Sequence, residues 1–193
     1  MSQTIITNRY DESLNDEKEK VYTRDIFVAI EDRGVILMKK DNIKICFAAS
    51  SGGHYEQLLM LKPLMEKYDS FVITEKTRYK TQIPNEKIYY LKQVNRKEKM
   101  FVPRMILNIV YSLRIFHMEK PDLVICTGVL AMIPICLIAK LRGKKLIYIE
   151  SFAKVTSGTL SGKLLYKYAD QFYVQWEQML KIYPKAIYLG GIY

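Results

Sequence analysis

The sequence predicts an α/β fold, a single doubly wound domain with helices on both faces of a parallel sheet. From residue 43 onward, short continuous apolar runs alternate with stretches of helical apolar spacing. Continuous apolar runs are typical of parallel strands, which helices bury on both faces. The chain has 193 residues, 49% hydrophobic and 26% charged, which is enough for one domain with a real core.

The predicted strands are short apolar segments, at 43–49, 70–76, 87–92, 122–128, 144–151, 171–175 and 185–190. The predicted helices lie between or after them, at about 54–67, 102–118, 130–142, 161–169 and 176–183. Residues 123–139 are seventeen in a row without a formal charge, close to the lower limit for a membrane span. Gly128 and Pro134 interrupt this run, so a strand, a turn and a helix explain it better.

The first 37 residues differ from the rest of the chain. They hold 5 Lys and Arg against 8 Asp and Glu, a net charge of −3, so that residues 38–193 carry +13. We expect residues 1–37 to be an appended, weakly ordered segment, with Met38 as the working start and 38–193 as the domain. An additional hairpin or edge strand within residues 1–37 is the alternative.

The formal charge of +10 attracts phosphates, whether in nucleic acid, anionic lipid head groups or nucleotide sugars. Nucleic acid is disfavoured, because the basic residues are scattered and the sequence shows no stacking-aromatic motif or recognition-helix pattern. Cys46, Cys126 and Cys136 lie in apolar runs without C-x-x-C spacing, which predicts buried thiols in a reducing compartment. The polar, acidic N-terminus is unlike a secretory signal and favours a cytoplasmic location.

The segment "SSGGH", residues 50–54, lies between the first predicted strand and the first predicted helix. In doubly wound folds ligands bind beyond the carboxyl ends of the strands, where glycines let backbone N–H groups approach an anion. The segment matches neither the G-x-G-x-x-G nor the Walker pattern, so no dinucleotide or ATP cofactor is expected. His54 is a candidate base, with an ordinary helix-start residue as the alternative. Since His54 and His117 are far apart in sequence, no metal site is predicted.

Residues 101–118 predict a basic amphipathic helix. Its apolar residues share one predicted face: Met105, Ile109, Leu113 and Phe116. Basic residues lie off this face or precede the helix: Arg96, Lys97, Lys99, Arg104 and Arg114. Such a helix can lie in the interface of an anionic membrane and contact head groups or an acceptor diphosphate. A core-facing helix with solvated charges is the alternative, and the two are compatible if the apolar face continues beyond the core.

Three separated segments together resemble one family: "KICFAASSGGHYEQLLML", "YIESFAKVTSGTLSGKLLYKYADQFYVQWEQM" and "YPKAIYLGGIY". They are similar to the bacterial capsule and exopolysaccharide glycosyltransferase accessory subunits, called β-1,4-galactosyltransferase enhancers. That family resembles the eukaryotic membrane-recruiting subunit of the split dolichol-linked N-acetylglucosaminyltransferase. The Gly-Gly-His loop is also similar to that of the lipid II-forming transferase of peptidoglycan synthesis. The resemblance covers about residues 38–193 and leaves out 1–37.

The resemblance implies a half-enzyme, a Rossmann-like domain equivalent to the N-terminal half of a GT-B glycosyltransferase. Such a half binds the membrane surface and a lipid-linked acceptor glycan on undecaprenyl diphosphate, in capsule or exopolysaccharide synthesis. A separately encoded donor-binding subunit holds most of the UDP-sugar, so this chain is expected to be inactive alone and peripheral on the inner face of the cell membrane. The 156 residues of 38–193 agree, because a complete two-domain enzyme needs roughly twice a typical domain.

Inverting sugar transfer needs a base near the acceptor hydroxyl, and His54 and Glu150 are the candidates. Glu150 ends an apolar strand, where a buried carboxylate needs a partner or a task. A structural carboxylate that binds a loop is the alternative. Acceptor or phosphate groups are expected at the strand ends, at Ser50, Ser51, Gly52, Gly53, Thr127 and Gly128. For the last two, a simple strand-to-helix turn is the alternative.

The partner subunit is expected to contact the end of the chain. Trp176 and Glu177 match the family motif, with ordinary packing of the sole tryptophan as the alternative. The resemblance to the eukaryotic relatives implies that the last residues hold the partner, at Leu189, Gly190, Gly191, Ile192 and Tyr193. We expect these residues to lie beyond any compact element, and a solvent-frayed tail is the alternative.

Two functions remain open from the sequence. In the first, the chain completes a catalytic site through His54 or Glu150. In the second, it is a non-catalytic scaffold that stabilises and recruits the transferase, and both residues are dispensable. Substitution of each residue by Ala separates the two.

Overall fold

The computed structural model describes residues 43–77, 86–128 and 130–192. These residues form a seven-stranded sheet of order β3-β2-β1-β4-β5-β6-β7, in which every neighbouring pair is parallel. The strands are β1 Lys44–Ala49, β2 Asp69–Glu75, β3 Lys87–Leu91, β4 Leu123–Gly128, β5 Lys145–Ile149, β6 Gln171–Val174 and β7 Ile187–Tyr188. The predicted parallel α/β fold is confirmed, whereas the predictions for residues 1–37, Met38 and Tyr193 lie outside the described residues.

Helices cover both faces of the sheet. They are α1 Gly53–Leu59, α2 Lys62–Lys67, α3 Phe101–Glu119, α4 Ile133–Leu141 and α5 Leu160–Leu165. On one face, α1, α2 and the end of the chain form a core with Leu58, Leu64 and Ile192. On the other face, α3, α4 and α5 form a second core with Phe116, Ile135 and Leu165. Every fully apolar strand is therefore buried on both sides, which is why its sequence does not alternate.

Two helix predictions were wrong in detail. The predicted helix 54–67 is two helices, because Pro63 has no N–H to continue the first one and instead lies in the first turn of α2. The predicted helix 176–183 is a short 3₁₀ helix, Glu177–Lys181. The uncharged run 123–139 is β4, a 3₁₀ turn at Leu130–Met132 and α4, as its glycine and proline predicted.

Helix α3 presents polar side chains to the sheet. Asn108, Ser112 and Glu119 are buried on its inner side together with Ile115 and Phe116. The Asn108 amide forms a fork with the backbone of Lys92, whose N–H and C=O are each 2.8 Å from it. This side chain therefore satisfies the backbone just beyond the edge strand β3 and anchors the first half of α3.

The outer side of α3 is correspondingly apolar. Its exposed large side chains are Val102, Ile106, Leu107, Ile109, Val110, Tyr111, Leu113 and Met118, which we call the outer apolar face. The face predicted from the sequence lies along the border between the covered and the uncovered side of α3, so its members differ in exposure. Ile109 and Leu113 are exposed, whereas Phe116 is buried and Met105 half-buried. The helix packs on the core and its apolar surface continues beyond the core, so the two alternatives are compatible, and contact with a membrane stays a prediction.

A cluster of charges lies at the amino ends of the strands. Glu119, at the end of α3, accepts a hydrogen bond of 2.8 Å from Lys44 Nζ at the start of β1, and further bonds from Lys87 and Tyr89 on β3. Burial alone would raise the pKa of Glu119, but the three hydrogen bonds outweigh it and lower that pKa to about 2. Glu119 thus ties α3 to two strands at the end of the sheet opposite the carboxyl ends.

Candidate functional site

The topological switch point of the sheet lies between β1 and β4. From β1 the chain builds outward through β2 to β3, and it then returns to the other side of β1 with β4. Ligands of doubly wound folds bind in the crevice outside the carboxyl ends of the strands at such a point. A cavity of about 490 Å³ opens there, lined by Gly53, His54, Gln57, Ser151, Phe152 and Ala153. The loop predicted to bind an anion, residues 50–54, contributes Gly53 and His54 to this lining, and its use as a binding site stays a prediction.

His54 is held in one orientation by Thr127. The His54 Nδ1 lies 2.8 Å from the backbone oxygen of Thr127, and the Thr127 hydroxyl donates in turn to the backbone oxygen of His54 at 2.8 Å. A carbonyl oxygen can only accept, so Nδ1 must carry the proton of this hydrogen bond. In the neutral imidazole, Nε2 is then the nitrogen that can take up a proton.

Gly128 makes room for the His54 ring. Its φ of 117° lies in a region that favours glycine, and a Cβ there would be 3.0 Å from two ring atoms of His54. Thr127 and Gly128 were predicted to line the crevice, with a simple turn as the alternative. The structure gives them a specific arrangement, in which one holds the histidine and the other leaves space for it.

The loop before α1 is buried and hydrogen-bonded at its first residue and exposed to solvent at its last residues. Ser50 is buried, and its N–H donates to the Gly128 oxygen at 3.1 Å. Gly52 and Gly53 are exposed, and a Cβ on either would meet nothing within 4 Å. Open space therefore lies in front of the first turn of α1, where backbone N–H groups attract anions. Its use by a phosphate stays a prediction.

Glu75, at the end of β2, is a buried carboxylate that contacts the loop before α1 and that was not singled out from the sequence. It accepts 3.4 Å hydrogen bonds from the Ser51 hydroxyl and from the N–H of Val94. Burial raises the pKa of Glu75, while these hydrogen bonds oppose the rise. The argument used for Glu150, a carboxylate at the end of an apolar strand, applies equally to Glu75 and would have found it.

The Glu150 carboxylate accepts hydrogen bonds from the loop that follows β5 and from Tyr183. Its side-chain oxygens accept from the N–H groups of Ser151 and Thr159 at 2.9 and 3.1 Å, from the Thr159 hydroxyl at 2.9 Å and from the Tyr183 hydroxyl at 2.9 Å. Burial and the nearby Glu150 raise the pKa of Tyr183, so the hydroxyl keeps the proton that it donates. These are the contacts of a structural carboxylate, the alternative weighed for this residue. A catalytic role for Glu150 stays untested and has no geometric support.

Phe152 lines the cavity and is braced from behind. The indole N–H of Trp176 donates to the Phe152 backbone oxygen at 2.7 Å, and the two rings lie 4.9 Å apart. Gly191 passes so close that a Cβ on it would be 3.1 Å from the Phe152 ring. Trp176 therefore has the packing role that was its alternative, although it packs on a residue of the site. Glu177 is exposed at the start of the 3₁₀ helix.

The end of the chain is part of the core, so the expectation that it lies beyond any compact element was wrong. Ile192 is fully buried, and its N–H donates to the Gln175 side-chain oxygen at 2.9 Å. The Gln175 amide nitrogen donates to the Glu150 backbone oxygen at 2.7 Å. Leu189 and Gly191 are half-buried and Gly190 is buried, which excludes a frayed tail over 189–192. Whether these residues contact a partner stays a prediction.

The basic loop 96–99 lies between β3 and α3. Because it follows the carboxyl end of β3, it lies at the same edge of the sheet as the cavity. Arg96, Lys97 and Lys99 are exposed, while Arg104 is half-buried and paired with Glu98. The first turns of the outer apolar face begin directly after this loop. Apolar and basic surfaces thus adjoin at the start of α3.

Within the described ranges, no three His, Cys, Asp or Glu side chains are grouped so that they could hold a metal ion. In the same part of the chain, no helix combines the length and the apolar character needed to cross a bilayer. The three cysteines are buried and unpaired by disulfides.

The fold is similar to part of several solved structures. The structure is similar to MurG of Acinetobacter baumannii (TM-score 0.60, 18% identity), covering 70% of this chain and 42% of that one. It is also similar to the UDP-N-acetylglucosamine 2-epimerase of Rickettsia bellii (TM-score 0.61, 13% identity), covering 78% of this chain and 45% of that one. The chain thus spans less than half of either structure, and these likenesses show the fold alone.

The sequence comparisons identify the family. The family model described as "Oligosaccharide biosynthesis protein Alg14 like" matches residues 45–192. The human protein named UDP-N-acetylglucosamine transferase subunit ALG14 is 29% identical, over 83% of this chain and 88% of that protein. The protein of the same name from Yarrowia lipolytica is 30% identical, over 79% of this chain and 82% of that protein. The chain belongs to the Alg14-like family.

Proposed function

We propose that this chain is the acceptor-side and membrane-recruiting subunit of a two-component glycosyltransferase. The donor is UDP-N-acetylglucosamine, as in the name of the human relative, and a separately encoded subunit binds most of it. The observation that carries the proposal is His54, whose tautomer is fixed by Thr127 and which lines the cavity at the switch point. The name of the human relative, which calls that protein a transferase subunit, supports a second polypeptide on the donor side.

His54 acts as the general base. The acceptor hydroxyl approaches Nε2 and loses its proton to it while its oxygen attacks C1 of the donor sugar. The bond between C1 and the phosphate oxygen breaks, and UDP leaves with the bonding electrons. Thr127 keeps the proton on Nδ1 and so keeps Nε2 available. The open loop at Gly52 and Gly53 receives a phosphate group of the acceptor or of UDP.

The acceptor is a glycan on undecaprenyl diphosphate, used in capsule or exopolysaccharide synthesis. The outer apolar face of α3 and the adjoining basic loop support an acceptor that is reached at a membrane surface. Apolar side chains enter the acyl boundary while Arg96, Lys97 and Lys99 meet anionic head groups or the acceptor diphosphate. The protein is then peripheral on the cytoplasmic face of the cell membrane.

The test is co-expression with a candidate donor-binding subunit, followed by co-purification and transfer of radiolabelled UDP-N-acetylglucosamine to lipid acceptors in membranes. We expect transfer only when both chains are present, and a loss of about 10²–10⁴-fold with His54→Ala. The matched control is His117→Ala, which removes the other histidine of the chain, an exposed residue of α3. Co-purification should be unchanged in both variants.

Two results would overturn parts of the proposal. If the complex forms but His54→Ala transfers normally, the chain is the non-catalytic scaffold that recruits its partner. If no candidate subunit binds and no transfer is seen, the two-component assignment itself is wrong.

A further inference from the structure

The cavity has a composition that neither the proton transfer nor the phosphate contact uses. Beside His54 its lining includes an aromatic residue, Phe152, and a residue with a side-chain amide, Gln57. Ligand pockets combine apolar surface with a few fixed polar groups that orient the ligand. An aromatic ring next to a planar amide is suited to a pyranose, which presents an apolar face of axial C–H groups and a rim of hydroxyls.

The Phe152 ring has a fixed position. Trp176 donates a 2.7 Å hydrogen bond to the Phe152 backbone oxygen and packs on its ring, and a Cβ on Gly191 would lie 3.1 Å from the same ring. An aromatic side chain braced in this way loses little conformational freedom when a ligand stacks on the part that faces the cavity. Trp176 and Gly191 thus hold the Phe152 ring in position before a ligand binds.

The Gln57 amide is fixed as well. It is buried on α1, one turn after His54, and its Nε2 donates to the Glu150 backbone oxygen at 3.2 Å. That bond sets which way the amide faces, so its carbonyl oxygen and second N–H have defined directions. A hydroxyl of a sugar placed against Phe152 can pair with this amide, and the neighbouring His54 then lies beside the same ring.

We propose that Phe152 and Gln57 form a pyranose subsite, in which the acceptor sugar stacks on Phe152 and a ring hydroxyl hydrogen-bonds to Gln57. The assignment to the acceptor rests on the proposed function, whereas the pyranose subsite itself does not. It gives the half-enzyme a means to place the attacking hydroxyl at His54, and it makes the acceptor sugar the ligand that this chain recognises directly.

The first measurement uses this protein alone with methyl glycosides of glucose, galactose and N-acetylglucosamine as probes. In NMR spectra, the axial protons on one face of a bound pyranose should shift upfield through the ring current of Phe152. Phe152→Leu should abolish these shifts and Phe152→Tyr should keep them. Tyr168→Leu is the matched control, since it removes an exposed aromatic ring outside the cavity. Absence of shifts with all three glycosides, or their persistence in Phe152→Leu, would overturn the subsite.

The second measurement uses the active two-chain complex. Phe152→Leu should raise the KM for the acceptor about three- to tenfold while the KM for UDP-N-acetylglucosamine stays constant. Gln57→Leu should raise the same KM. Equal changes in both KM values would overturn the assignment to the acceptor. If the glycosides show ring-current shifts but no candidate subunit gives transfer, the subsite stands and the proposed function is refuted. If transfer occurs but no glycoside shows such shifts, the proposed function stands and the subsite is refuted.

Discussion

At the scale of single residues, the loop after β5 depends on Glu150 as an acceptor for several donors at once. Replacing it with Gln keeps the shape but places an NH₂ group against donors such as Tyr183 and Thr159. We expect Glu150→Gln to lower the free energy of unfolding by about 2–4 kcal/mol, because buried polar groups lose their partners. Urea unfolding measures this. A variant of unchanged stability with lost transfer would instead make Glu150 catalytic.

Gly162 is required by the same carboxylate. A Cβ on Gly162 would lie 2.1 Å from Glu150 Oε2 and 2.8 Å from the Thr159 hydroxyl. We therefore expect Gly162→Ala to destabilise the protein by about 2 kcal/mol or more. Gly53→Ala is the control, since a Cβ there meets nothing within 4 Å and α1 begins at that residue. Thermal unfolding of the two variants compares them, and similar Tm values would contradict the crowding.

At the scale of elements, Glu119 makes the attachment of α3 sensitive to pH. The pKa of Glu119 falls from 4.5 to about 2 on folding, so the unfolded chain binds more protons between these values. Its contribution is present above the unfolded pKa and is lost as the pH falls toward the folded one. Since Lys44 and Lys87 are partly exposed, we expect only about 1–3 kcal/mol.

The measurement compares the free energy of unfolding of the parent protein and Glu119→Gln across that range. The difference between them should shrink as the pH is lowered from about 6 to about 3, because Glu119 of the unfolded chain takes up a proton in this range while Glu119 of the folded protein stays ionised. A difference that stays constant would show that the lysines do not hold an ionised Glu119.

Helix α3 can be tested as a membrane-docking element without disturbing the core. Ile106 and Val110 are exposed one turn apart, so Ile106→Glu and Val110→Glu should leave the Tm nearly unchanged. Together they should lower partition into anionic lipid vesicles by about tenfold or more, since each loses apolar burial and adds a repelled charge. Leu141→Glu is the control, on an exposed apolar residue of α4. Equal loss in all three variants would point to charge alone.

The sequence predicted the strands and the location of the crevice, because continuous apolar runs and a glycine-rich turn are local signals. It did not predict which side of α3 faces the sheet. The inner side of α3 is held by polar contacts with residues distant in sequence, Asn108 with Lys92 and Glu119 with Lys44. The spacing of apolar residues carries no information about such contacts. Gln57 is a different case, since its spacing of one turn from His54 would have placed it in the site.

At the scale of the whole molecule, net charge and apolar surface make separable contributions to membrane binding. The chain carries a formal charge of +10, and attraction of that charge to anionic lipid weakens as salt screens it. Raising the salt from roughly 0.05 M to 0.5 M should remove the electrostatic part of vesicle binding. The binding that remains is then due to the outer apolar face. Vesicle flotation at both salt concentrations measures the two contributions. Complete release at high salt would contradict a role for the apolar side chains.

The outer apolar face also has a consequence for the fate of an unassembled chain. Side chains such as Val102, at 60% exposed, and Ile106, at 56%, present the kind of surface that chaperones and proteases recognise in incomplete proteins. If the outer apolar face docks on a membrane as proposed, a copy made in excess of the available membrane sites would keep this surface exposed and be degraded. The amount of this chain in a cell would then follow the supply of these membrane sites, and stoichiometry would be enforced by turnover.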